Sequence, residues 1–144
     1  MVKINHLNNG IKLEGKRVLL RVDFNVPLNN QSVTETSRII KVLPTIKFLI
    51  DNKAKIIIIS HVGRPKGKIY PNLSLKPIAK KLANLLDQKV IFFNETIGSD
   101  AVEKSKKISN GEILLLENLR FHQEEELNSD LFAKELSKIG DIYI

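Results

Sequence analysis

The sequence predicts a three-layer α/β/α domain built on a parallel sheet, and three observations carry that reading. Two short runs, Ile56 to Ile59 and Ile113 to Leu116, are apolar at every position, as strands covered on both faces must be. Segments of strand pattern alternate with segments of helical spacing. The stretches between strand patterns are long enough for crossover helices.

The elements follow in order. Lys16 to Val26, KRVLLRVDFNV, reads as a first strand, with a loop after Pro27 through Asn29, Asn30, Gln31 and Ser32. Thr36 to Asn52 places Ile39, Ile40, Leu43, Ile46, Phe48, Leu49 and Ile50 at mostly helical spacing, and Pro44 is expected to break that helix and start a second piece. Lys55 to Ser60 is the second strand. Ser74 can cap a helix whose stripe is Leu75, Ile78, Ala79, Leu82, Leu85 and Leu86, with Pro77 in the tolerated first turn. Val90 to Phe93 is a short strand, Asp100 to Ile108 a polar helix and Ile113 to Leu116 another strand. Ser129 to Lys138 is a helix resting on Leu131, Phe132 and Leu136, and Asp141 to Ile144 opens one more strand, with no turn or cap behind it. The chain therefore reads as cut within a sheet.

Composition narrows the chemistry. The 144 residues, 42% hydrophobic and 27% charged, suit one globular domain. The absence of Cys removes disulfides, thiolate metal sites and thiol catalysis, and fits a reducing compartment. No apolar run is long enough to span a membrane, and Met1 to His6 lacks a signal-peptide core, so the expected location is the cytoplasm. The net charge of +7 is confined to the first half: residues 1–72 hold 13 Lys and Arg against 4 Asp and Glu, and residues 73–144 hold 10 against 12. Sparse aromatics, no Trp and singly scattered lysines argue against nucleic acid as the partner, which leaves a small anion.

In parallel sheets ligands bind beyond the carboxyl ends of the strands. After the first apolar run come Asp23 and Asn25; after the isoleucines come Ser60, His61, Gly63 and Arg64; after the third run come Glu117, Asn118, Arg120 and His122. With Arg38 at the start of the first helix, three arginines, up to two histidines, an Asp and an Asn converge on one cleft. Guanidinium groups match phosphate and carboxylate bidentately, so the cleft suits a phosphorylated, carboxylate-bearing small molecule. Glu124 to Glu126 reads as a solvated acidic run. Gly63 to Lys68 is no Walker A loop, because its first glycine is misplaced and Ile69 stands where Ser or Thr is required. No G-x-G-x-x-G fingerprint is present, so the Rossmann-like alternation implies no nicotinamide or flavin, and a lone His without Cys is a poor zinc ligand.

RVDFNVP at Arg21 to Pro27, SRI at Ser37 to Ile39, LPTIKFLI at Leu43 to Ile50, SHVGRP at Ser60 to Pro65, LSLKPIAKKL at Leu73 to Leu82 and LLLENLRF at Leu114 to Phe121 together resemble phosphoglycerate kinase. The resemblance runs through essentially the whole chain and covers the first part of that family's amino-terminal domain. It implies a two-lobed, monomeric glycolytic enzyme that moves a phosphoryl group between 1,3-bisphosphoglycerate and ADP, giving 3-phosphoglycerate and ATP with Mg²⁺. Carried over by position, Asp23-Phe24-Asn25, Arg38, His61-Val62-Gly63-Arg64 and Arg120 are the substrate-binding residues. Asp23 and Asn25 would hold the glycerate hydroxyl and carboxylate side. Arg38, the catalytic residue, would contact the carboxylate and steady the phosphoryl group, while His61, Arg64 and Arg120 would grip the 3-phosphate. Thr36 and Ser37 stand where the family usually has an acidic residue and a Thr, and SHVGRP replaces the commoner SHLGRP. The family's nucleotide lobe, with its ADP/ATP and Mg²⁺ sites, has no counterpart in residues 1–144. The expectation is a partial phosphoglycerate-binding domain without kinase activity of its own; the alternative is a non-catalytic remnant that binds phosphorylated anions weakly.

Overall fold

A computed structural model describes residue 7 and residues 10–144. The opening Met1 to His6, read above as lacking a signal-peptide core, lies outside the described residues. Among those described, no helix is long and apolar enough to cross a membrane.

The first strand pattern forms β1 (Arg17–Arg21), shorter than the sequence suggests, because the chain leaves the sheet at Val22 to place Asp23, Phe24 and Asn25 above its edge. The expected loop after Pro27 instead contains a small antiparallel hairpin, β2 (Leu28–Asn29) with β3 (Ser32–Val33). Its turn residues Asn30 and Gln31 take positive φ, 46° and 60°, the signature of a tight two-residue hairpin. Helix α1 (Ser37–Asp51) runs unbroken through Pro44. The carbonyl deprived of its donor belongs to Ile40, an exposed residue, while Ile39, Ile46 and Leu49 hold the helix to the sheet from the other side. Strand β4 (Lys55–Ile59), helix α2 (Lys76–Leu86), strand β5 (Val90–Phe93), helix α3 (Ser99–Lys107) and strand β6 (Ile113–Leu116) follow within a residue or two of expectation. A short helix α4 (Gln123–Glu126), helix α5 (Asp130–Ser137) and strand β7 (Ile142–Tyr143) complete the chain. Ser129 caps α5, its Oγ accepting the Phe132 N–H. Leu131 does not belong to the core as expected: it is 77% exposed, and Phe132 alone on α5 is buried.

The sheet order is β5-β6-β4-β1-β7 and every neighbouring pair is parallel. Alternate residues face opposite layers. Val18, Leu20, Ile56, Ile58, Ile113 and Leu115 pack against α1 and α2, whereas Leu19, Ile57, Ile59, Leu114 and Leu116 pack against Ala101 of α3 and Phe132 of α5. The crossovers β1 to β4 and β4 to β5 run toward one edge over the first face, and β5 to β6 and β6 to β7 run back over the second. A constant crossover hand requires that reversal. It also makes β4 and β6 adjacent strands whose following helices lie on opposite faces, the arrangement that opens a crevice at their carboxyl ends.

Candidate functional site

Three loops leave the carboxyl edge at that crevice, and buried polar side chains lace them together. Ser60, 1% exposed, accepts the Phe24 N–H at its Oγ (3.0 Å) and donates to the Val22 carbonyl (2.8 Å), tying the loop after β1 to the end of β4. Asn118 is wholly buried: its Nδ2 donates to the carbonyls of Val62 (2.8 Å) and Leu73 (2.9 Å), and its Oδ1 accepts the Arg120 N–H (3.0 Å). The Arg120 carbonyl in turn accepts the Gly67 N–H. Asn25 Oδ1 accepts the Gly63 N–H at 3.0 Å. Gly63 has φ +65°, the left-handed conformation that favours glycine, and a Cβ there would press on the end of the Leu73 side chain.

On this frame Asp23, Arg38, His61 and Arg120 lie close enough to influence one another, but they do not share one cleft as expected: Asn25 lines one cleft, Arg64 and Arg120 another, and Asp23, Arg38 and His61 neither. Arg38, in the first turn of α1, donates from Nη1 to both carboxylate oxygens of Asp23 (2.8 and 2.6 Å). Burial pushes the Asp23 carboxyl up, but the Asn25 N–H and the hydrogen bond and charge of Arg38 outweigh it and hold the group below its ordinary value, with His61 contributing in the same direction. His61 is lowered, first by burial and then by the charge of Arg120, so it is a neutral imidazole at pH 7. Glu35, one residue before the Thr36-Ser37 pair, supplies the carboxylate at the start of α1, its Oε1 accepting the Ser37 N–H. That cap fixes the turn from which Arg38 projects.

Two clefts flank the Gly63 turn. The larger, about 690 Å³, lies between Asn25, Val62, Gly63 and the β2–β3 hairpin, and its lining carries no charged side chain. The second, about 550 Å³, is lined by Arg64, Lys66, Arg120, Gln123, Glu126 and Leu127. Arg64 is exposed, and its guanidinium makes no hydrogen bond or ion pair with the described residues. The second cleft carries the chemistry for a phosphate: its lining holds two guanidinium groups and an ammonium against one carboxylate, Glu126, and His61 is close enough for Arg120 to shift it.

Several expectations need correcting. Phe24 and Val62 are buried, so their side chains face the core and only their backbone reaches the edge. The Phe24 N–H is already taken by Ser60 and the Val62 carbonyl by Asn118. His122 does not join the cleft; its ring stacks on Phe132, with centroids 5.2 Å apart, on the α5 face. Glu117 accepts the Leu75 N–H and the Ser74 hydroxyl, so it holds the start of α2 rather than facing a ligand, while Ser74 Oγ accepts the Lys76 N–H as a helix cap should. The acidic run is not uniformly solvated. Glu125, its side chain 8% exposed, accepts Arg21 Nη2 at 2.5 Å and Arg120 Nε at 3.2 Å. Burial pushes this carboxyl up, and the two arginines outweigh it, holding it low and ionised. Neither Arg21 nor Glu125 was legible as a site residue; their partnership spans 104 positions, and the only local sign was an acidic run closely following Arg120.

Among the described residues no group of three or more His, Asp or Glu is placed to hold a metal ion. The carboxyl edge is rich in arginine, a donor set that repels Mg²⁺ and offers it no cage of oxygens, so these residues do not fit a magnesium site.

The model of the family described as phosphoglycerate kinase matches residues 8–144. A phosphoglycerate kinase of Chlorobium luteolum is 48% identical over 135 residues, covering 93% of this chain and 34% of its own length. That of Nautilia profundicola is 54% identical over 131 residues, covering 90% and 33%. The crystal structure of phosphoglycerate kinase from Pyrococcus horikoshii superposes with a TM-score of 0.82 at 36% identity, covering 93% of this chain and 34% of that one. The phosphoglycerate kinase structure from Coxiella burnetii gives 0.80 at 37% identity, covering 92% and 33%. The chain thus spans about a third of the length of the curated relatives it matches. With a family match over nearly all of its residues and a parallel sheet that superposes on solved members, the chain belongs to the phosphoglycerate kinase family.

Proposed function

We propose that residues 1–144 form the phosphoglycerate-binding part of a cytoplasmic, monomeric phosphoglycerate kinase. The reaction is phosphoryl transfer between 1,3-bisphosphoglycerate and ADP, giving 3-phosphoglycerate and ATP. The observation that carries this reading is the second cleft, where the guanidinium of Arg64 and the terminal nitrogens of Arg120 make no hydrogen bond with the described residues. Arg64, Arg120 and His61 take the 3-phosphate. Arg38, paired with Asp23, is positioned for the carboxylate end of the ligand and steadies the phosphoryl group in transit; Asp23 and Asn25 orient the glycerate hydroxyl. The chemistry needs no general base, because the attacking carboxylate of 3-phosphoglycerate is ionised at neutral pH, so positioning and charge neutralisation are the protein's contribution. ADP, ATP and Mg²⁺ belong to residues outside these 144, which on their own bind 3-phosphoglycerate without making ATP.

The test is thermal. 3-Phosphoglycerate raises the melting temperature of the chain more than sulfate at equal ionic strength, and Arg64→Ala or Arg120→Ala removes the difference. Equal shifts with both anions defeat the reading, and ATP formation by the purified 144-residue chain defeats its assignment of the nucleotide site.

A further inference from the structure

Arg120 presents a guanidinium held on one side only. Its Nε is engaged by Glu125 at 3.2 Å and, more distantly, by Glu126 at 3.8 Å. Its Nη1 and Nη2 make no hydrogen bond with the described residues, and Arg120 lines the cleft that Arg64 and Lys66 share. Glu125 is in turn fixed from its other oxygen: Oε1 accepts Arg21 Nη2 at 2.5 Å, while Oε2 accepts Arg120. Arg21 closes β1 and Arg120 follows β6, so one carboxylate spans two strand ends that are not neighbours in the sheet.

That geometry has a chemical meaning. A guanidinium can meet an oxyanion through its paired terminal nitrogens or through Nε with one of them. Occupying Nε with a nearly buried carboxylate removes the second mode and leaves the first. Without Arg21 the same carboxylate would be free to swing toward the Nη pair and compete with an anionic ligand; with Arg21 attached it is anchored on the far side. We infer that Glu125, braced by Arg21, is a positioning residue that restricts Arg120 to end-on contact with the phosphate of the ligand. This rests on the phosphoglycerate reading above and adds two residues to it.

A carboxylate that merely balanced charge would act in the opposite direction, since removing it would make the cleft more positive and strengthen every anion. The experiment measures the dissociation constants of 3-phosphoglycerate and sulfate for the 144-residue chain by calorimetry, in wild type, Glu125→Gln, Arg21→Gln and Arg120→Ala, and in Arg120→Ala combined with Glu125→Gln. Glu125→Gln weakens 3-phosphoglycerate by roughly tenfold, with sulfate unchanged or tighter. Arg21→Gln, at a side chain 43% exposed, moves the same ratio in the same direction. In the Arg120→Ala background Glu125→Gln changes 3-phosphoglycerate affinity by less than about twofold, because the group it positions is gone. Both anions tightening together in Glu125→Gln, or an unchanged ratio in Arg21→Gln, overturns the inference while leaving the phosphoglycerate site standing. Wild type that binds both anions alike overturns that site and the inference with it.

Discussion

Strand β1 begins and ends with an arginine, and the two ends of the sheet treat them differently. At the amino end, Arg17 spends four of its five guanidinium N–H donors on the protein. Its backbone N–H and Nε donate to Asp141 Oδ2, its Nη2 donates to Asp141 Oδ1 at 2.8 Å, and its Nη1 donates to Ser105 Oγ and the Lys138 carbonyl. It ties the approach to β7 onto β1 and leaves a single N–H uncommitted. At the carboxyl end, Arg21 shares Glu125 with Arg120, Arg38 uses one terminal nitrogen on Asp23, and Arg64 is unpaired among the described residues. Both ends are basic; what separates structural from ligand-binding arginine is how many donors the protein has already consumed.

The largest test of that contrast is Arg17→Ala. It strips Asp141, the Lys138 carbonyl and Ser105 of a shared donor, and is expected to cost roughly 2 kcal/mol in urea unfolding. The advantage of 3-phosphoglycerate over sulfate stays intact; if that advantage falls with stability, the two ends are not independent. Arg38→Ala is the converse. The Arg38–Asp23 pair has side chains 48% and 61% exposed, so its loss costs less than about 1 kcal/mol of stability. The same change weakens 3-phosphoglycerate by roughly tenfold, and an unaltered dissociation constant would remove Arg38 from the site.

The smallest test uses pH. At the amino end the Asp141 carboxyl is held low, chiefly by the Arg17 hydrogen bond, so its contribution is complete above the ordinary carboxylate range and is lost only as pH falls through the lower folded value. At the carboxyl end His61 is lowered by burial and by Arg120; the unfolded chain takes up its proton first, and stability declines as pH falls from about 6.5 toward the lower folded value. Unfolding free energy measured against pH is therefore expected to begin its decline below about 6.5 through His61 and to continue in the acidic range, where Asp141 acts together with Asp23 and Glu125. Arg17→Ala reduces the acidic part, and His61→Gln removes the part nearer neutrality. A decline insensitive to both substitutions would contradict the assignment.

The distinction between the two ends was only partly legible in the sequence. Isoleucine and leucine runs buried on both faces leave no ambiguity about strands, and the residue after such a run must emerge at the sheet edge. That placed Asp23, His61 and Asn118 correctly at one end. What apolar periodicity cannot report is what a charged side chain meets. Arg17 finds Asp141 across 124 positions, and Arg21 finds Glu125 across 104, so neither pairing leaves a local trace. Pro44 and Leu131 were misjudged for a related reason. Whether a proline breaks a helix depends on where the orphaned carbonyl points, and whether a leucine is core depends on which side of a short helix meets the sheet.

Asn118 bears on the order in which this chain acquires its parts. The loop that carries His61, Gly63 and Arg64 is pinned by a side chain 56 positions downstream at Val62 and 45 downstream at Leu73. A nascent chain that has passed Arg64 already contains Asp23, Arg38, His61 and Arg64, but it lacks Arg120 and the Asn118 side chain that holds the loop of His61 and Arg64. The anion site is thus completed only when β6 lies between β4 and β5 and brings Asn118 and Arg120 with it, so its assembly depends on contacts between distant parts of the polypeptide.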